Sequence, residues 1–155
     1  MQFTGVYSAY MNAVSVSTAI TIVQVKAGSS RSLALLRAWC TQSNLTTSSQ
    51  QRIQVLRKTA AATVTSFTPI KLAGGAPTAD AAGGTSATGT NASGEGTDGD
   101  VLIPDTFNIL NGWLWVPTPE ERIVVPAAGI VALKFPAAPG AALTVTAGFI
   151  FGELG

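Results

Sequence analysis

Few residues in this chain carry chemistry by their type and spacing. Asp98, Asp100 and Asp105 lie close enough in sequence to offer oxygens to Ca²⁺, which takes six to eight of them. They lack the full EF-hand spacing and its closing Glu, and Thr97-Asp98-Gly99-Asp100 reads instead as a turn leading into a strand at Val101. Glu120 and Glu121 are adjacent, so on an extended chain they point to opposite faces and do not converge as an acid/base pair. The stretch Pro117 to Arg122 reads as an exposed turn. Cys40 sits in an apolar alternating run, and the chain has no histidine to activate it, so it reads as a buried structural thiol. Gly74-Gly75 and Gly83-Gly84 are not followed by the Gly-Lys-Ser/Thr of a phosphate loop. Trp113 and Trp115 share one face of a short run, with Leu114 on the other. Exposed, the two rings would form a sugar-stacking platform; buried, they would supply core or subunit contact, and the lack of convergent polar side chains favours burial.

Composition narrows the functional classes further. Of 155 residues, 46% are hydrophobic and only 11% charged, with nine bases, eight acids and one cysteine. A chain without histidine has no Ser-His-Asp or Cys-His machinery and no imidazole metal ligand. One cysteine excludes an internal disulfide and a Cys-rich zinc site. The near-neutral balance argues against a protein that grips nucleic acid through its phosphates. An enzyme is therefore not expected, and neither is a cofactor or a metal.

The elements that must position these residues read as strands. Ala19 to Val25 is β-branched and is followed by a turn at Gly28 to Ser30. Ser32 to Thr41 alternates Leu33, Leu35, Arg37 and Trp39 against Ala34, Leu36, Ala38 and Cys40, and such two-sided apolarity suggests a strand buried on both faces or one facing a partner. Further strands are expected at Gln51 to Lys58, Thr63 to Phe67, Val101 to Ile103, Phe107 to Val116, Arg122 to Val125, Gly129 to Phe135 and Leu143 to Phe151. Pro104, Pro117, Pro119, Pro126, Pro136 and Pro139 fall between these runs. The fold expected is all-β: a single domain over 1–155, an antiparallel two-sheet sandwich, jelly-roll-like, with about eight strands. The apolar stretch Ile123 to Phe151 holds too many prolines and glycines for a spanning helix. No positive segment precedes an apolar core at the N-terminus, so no secretory signal is expected. The glycosylation patterns at Asn44-Leu-Thr and Asn91-Ala-Ser then read as accidental.

Charge is not spread evenly. Residues 73–100, rich in Gly, Ala and Thr, carry four acids (Asp80, Glu95, Asp98, Asp100) and no base. The remaining residues carry nine bases against four acids, a net of +5. The segment has little apolar surface to offset its ordering entropy and reads as a loop. Its acids and the bases of the body, Arg37, Arg52, Arg57, Lys58 and Arg122, suggest that the insert docks on an adjacent subunit.

Several segments together resemble a known group. They are Arg37-Ala-Trp-Cys-Thr-Gln-Ser43, Gln51-Arg-Ile-Gln-Val-Leu-Arg-Lys-Thr59 and Glu95-Gly-Thr-Asp-Gly-Asp100. Phe107-Asn-Ile-Leu-Asn-Gly-Trp-Leu-Trp-Val-Pro117, Pro119-Glu-Glu-Arg-Ile123 and Thr146-Ala-Gly-Phe-Ile-Phe-Gly-Glu153 complete the set. As a set they resemble small virion proteins of tailed bacteriophages similar to capsid decoration (cement) proteins. The ending also resembles the closing strand of trimeric TNF-like jelly rolls, a weaker analogy. The resemblance implies a jelly roll or related sandwich, commonly trimeric, bound to the outside of an assembled shell. Expected partners are the major capsid protein and further copies of the chain, with no nucleic acid or membrane. The expected location is the capsid exterior, after synthesis in the bacterial host cytoplasm. Trp113, Trp115, Phe149 and Phe151 are the residues expected in core or trimer packing, and Arg37, Arg57 and Arg122 in charged subunit contacts. The alternative is a glycan-binding module of a phage head fibre or tail.

Overall fold

Apolar side chains at every second position can all be buried only if strands stack face to face, and the chain does this in two antiparallel sheets. The computed structural model describes residues 2–85 and 94–155. The strands are β1 (Phe3–Val16), β2 (Ile20–Lys26), β3 (Ser32–Gln42), β4 (Gln50–Ala60), β5 (Thr65–Phe67) and β6 (Ile70–Lys71). They continue as β7 (Ala82–Thr85), β8 (Thr97–Asn108), β9 (Trp113–Trp115), β10 (Val124–Val125), β11 (Ile130–Phe135) and β12 (Leu143–Leu154). The first sheet runs β10-β3-β12-β1-β6, with β9 also paired to β3; the second runs β5-β7-β2-β11-β4-β8. Setting aside the short β5, β6 and β7, the chain crosses between sheets at each connection except β4 to β8 and β9 to β10. The order β1-β12-β3-β9 thus faces β2-β11-β4-β8, a jelly roll.

The core lies between the sheets. Tyr7, Ala9, Leu33, Leu35, Phe149 and Phe151 reach in from one side, and Ile20, Val23, Ile53, Val55, Leu133 and Phe135 from the other. The Tyr7 and Phe151 rings sit 5.7 Å apart, and Phe107 and Phe135 6.5 Å apart. Trp113 enters this core from β9 and satisfies its ring N–H by donating to Asp105 Oδ2 at 2.9 Å.

The strands differ from the sequence expectation in instructive places. There are twelve strands among the described residues, not about eight. β1 was not foreseen, and it is one of the longest. β8 runs straight through Pro104, which is tolerated because β8 is the edge of its sheet and the missing donor leaves no ladder partner unmet. Phe107 to Val116 is not one strand. It is broken by a turn at 109–112, where Gly112 takes φ +72°. The insert at 73–100 is also not simply a loop. Ala82–Thr85 forms a strand between β5 and β2, and Thr97 already belongs to β8. Residues 86–93, which include Asn91-Ala-Ser and the middle of the insert, lie outside the described residues. No helix among the described residues is long and apolar enough to cross a membrane.

Candidate interaction surface

Among the described residues, the acids and the thiol named from the sequence lie apart, each with its own surroundings. Asp98 Oδ1 accepts from Lys58 Nζ at 2.6 Å and its Oδ2 from Lys134 Nζ at 2.5 Å. Asp105 accepts from the Trp113 ring and from the backbone N–H of Thr106. No group of three metal-binding side chains forms among the described residues. Glu120 and Glu121 lie exposed in a 3₁₀ turn, Pro119–Glu121. Cys40 is buried, and burial pushes its thiol up to about 12, far from a nucleophile's range.

The outer face of the second sheet is covered by the chain itself. Gln24 clasps the loop above it with both ends of its amide: Nε2 donates to the Ala62 carbonyl at 3.2 Å and Oε1 accepts from the Ala62 N–H at 3.0 Å. The Thr63 N–H donates to the Gly94 carbonyl at 3.0 Å, so the two covering segments, 60–63 and 94–98, are tied together. Gly96 takes φ +70° with its α-carbon so close to the Ala60 and Ala61 carbonyls that a Cβ would sit 2.3 Å from one of them.

Beneath this cover is an ion cluster. The Lys58 side chain is 0% exposed, and its Nζ donates to the Glu95 carbonyl and to Asp98, both at 2.6 Å. Lys134 Nζ also lies 3.7 Å from Glu95 Oε2, which accepts from the Thr21 N–H at 2.8 Å and from the Thr21 hydroxyl at 2.5 Å. Burial pushes the Asp98 carboxyl up, but hydrogen bonds and charge from Lys134 and Lys58 outweigh it and hold the group below the usual carboxylate range. Two of the four insert acids therefore pair with lysines of their own chain. A third, Asp80, accepts from the Ser30 hydroxyl at 3.0 Å. Three of the acids expected to meet an adjacent subunit thus have partners within their own chain.

A buried acid pins the start of the insert. Glu153, 1% exposed in its side chain, accepts from the Ala81 N–H at 2.7 Å and pairs with Arg31 at 3.5 Å. Tyr7 donates its hydroxyl to the Pro77 carbonyl at 3.1 Å.

The outer face of the first sheet is different. Its outward residues line up across the strands in register. Tyr10, Gly148, Trp39 and Leu114 form one row over β1, β12, β3 and β9. Ile70, Ser8, Ile150 and Arg37 form the next, over β6, β1, β12 and β3. Arg37 is the one charged side chain in these two rows. Leu114 is 57% exposed, Val116 beyond it 62%, and Tyr10 40%. A cleft of about 520 Å³ opens beside Trp39, bounded by Arg37, Thr41, Asn111, Leu114 and Ile150. Gly148 is what lets the row lie flat: a Cβ there would sit 2.6 Å from Tyr10 Cβ and 2.9 Å from the Trp39 ring.

The residues expected to matter divide between core and surface. Phe149 and Phe151 are wholly buried, Trp113 is 6% exposed, and Trp115 packs half-buried on the core. These four belong to the sandwich interior, so Trp113 and Trp115 form no sugar platform. Arg37 stands on the open face, Arg57 is exposed on β4, and the Arg122 guanidinium lies 5.9 Å from the Phe3 ring centre. None of the three forms an ion pair among the described residues. Tyr10, Ile150 and Leu114 were not singled out from the sequence. The signal was present for Trp39, in the two-sided apolarity of β3, but a bulge at Leu36 reverses its side: Leu33, Leu35, Ala38 and Cys40 point inward, while Arg37 and Trp39 point out. Compared with protein-family models, curated proteins and solved structures, the chain matches none.

Proposed function

We propose that this protein is a virion structural component that decorates and stabilises a tailed-phage capsid, bound to the outer shell as a homotrimer. The observation that supports this best is the open face of the first sheet. It offers aligned apolar side chains and a single charge, which suits lasting contact better than turnover. Most of the segments that resemble decoration proteins also fall on structurally central parts: β3, β4, the Glu95 to Asp100 stretch that pairs with and clamps Lys58, β9 and β12; Pro119 to Ile123 holds the exposed turn. A protein that reinforces a lattice needs area and repetition. Each specific contact would bury on the order of 1,200–2,000 Å², and many equivalent contacts would act together.

The test is co-sedimentation with emptied capsids of the particle that carries the protein. Saturable binding, and loss of heat resistance in capsids that lack it, are the expected results. Failure to co-sediment would end the proposal.

A second reading, a glycan-binding module, has the cleft beside Trp39 in its favour, since Arg37, Thr41 and Asn111 set polar groups around a half-buried ring. Glycan-array binding abolished by Trp39→Ala, with the fold intact, would establish it.

A further inference from the structure

We infer that the occupant of the open face is a second copy of this chain, seated on the row Tyr10–Trp39–Leu114. The inference rests on the homo-oligomeric reading above and assigns it a surface.

Three observations carry it. The first is the contrast in cover. The chain spends two of its own segments, 60–63 and 94–98, on the outer face of the second sheet and, among the described residues, none of comparable extent on the row through Tyr10 and Trp39. The second is charge. Arg37 stands among uncharged neighbours, and the loop from Val116 to Arg122 leaves and rejoins β3 at the same level, since Trp115 pairs with Ala38 and the Ile123 carbonyl accepts from the Leu35 N–H. That loop carries Glu120 and Glu121, exposed and without an ion pair among the described residues. Each copy therefore presents one cation on the face and two anions at its rim, which lets one copy's Arg37 meet the next copy's acids.

The third is size. Five strands at about 4.8 Å and the two rows at about 6.8 Å span roughly 330 Å² before corrugation. The exposed loop from Val116 to Arg122 extends this flat centre toward the ~800 Å² that each partner contributes to a specific interface.

The experiment is sedimentation equilibrium on the full chain. Wild type is expected to be a discrete oligomer. Trp39→Glu and Leu114→Glu should each weaken association by about 30-fold or more, the scale of a central interface residue, with the circular dichroism unchanged. Arg52→Glu, on the covered sheet, should leave association unaltered. Arg37→Glu should weaken it, and adding Glu120→Arg and Glu121→Arg should restore it.

A monomeric wild type, or an oligomer whose mass survives both Trp39→Glu and Leu114→Glu, overturns the assignment. Glycan binding by a monomeric wild type that is lost in Trp39→Ala does the same. Capsid binding is read separately: capsids bound by a monomer remove this interface alone, whereas an intact oligomer that ignores capsids removes the decoration role and leaves the interface standing.

Discussion

The second sheet's outer face is roofed by the chain's own connections, while the first sheet's lies bare along its Tyr10–Trp39 row, although both are built from strands of similar length. Composition alone does not explain the difference. The roofed face holds Thr21, Gln24 and Lys58, polar groups that must be satisfied once buried. The segments at 60–63 and 94–98 supply their partners: carbonyls, an N–H and two carboxylates. The bare face holds Tyr10, Trp39, Ile150 and Leu114, whose surface is mostly apolar and whose few polar groups reach water. A polar face draws its own loops down through specific bonds; an apolar one can wait for any partner of the right shape.

Substitutions on the two faces sharpen this contrast. The largest effect is expected for Asp98→Ala, which leaves Lys58 buried without its carboxylate. Removing one partner of a buried pair costs about 3–5 kcal/mol, and about 3 is expected here because Asp98 itself is partly in water. Urea unfolding measures it, and a loss under about 1 kcal/mol would mean that the lysines do not hold the cover. Gln24→Ala comes next. It strands the N–H and C=O of Ala62, at about 2 kcal/mol.

Acid should loosen the roofed face by a smaller amount. The Asp98 carboxyl is held below its unfolded value, so its contribution is fully present above the usual carboxylate range and is lost as pH falls through the lower folded value. Stability should therefore fall in acid more steeply for wild type than for Asp98→Asn. Equal slopes would remove the clamp from the account. Smallest of all, Leu114→Ser on the bare face should change the stability of the monomer by less than about 0.5 kcal/mol. A loss of several times that would show the face to be part of the core.

Legibility from sequence followed the range of the interactions. Ile20 to Val25 and Gln51 to Lys58 announce strands through β-branching and alternation, which are local properties. The inward side of Trp113 and Trp115 and the burial of Cys40 were readable for the same reason. β1 was not, because Tyr, Ser, Ala, Met and Asn follow one another there with little β-branching, and its pairing with β12 is what makes it a strand. β7 is Ala-Gly-Gly-Thr, a strand only because β2 and β5 flank it. The clamp joins Thr21, Lys58, Glu95, Asp98 and Lys134, distant in sequence and without a motif. Leu36 gives no sign that it is the extra residue of a bulge, yet it decides which side of β3 meets solvent.

The position of β12 has a consequence in time rather than in space. β1 and β3 are not neighbours; β12 lies between them, with Phe3 opposite Leu154 and Gly148 between Tyr10 and Trp39. Folding must close a loop nearly as long as the domain before these rows exist, a class of topology that folds in milliseconds to seconds. Until then Tyr10 and Trp39 belong to separate strands with an empty lane between them. A partner that recognises the completed row would thus recognise only molecules in which β12 has already docked between β1 and β3.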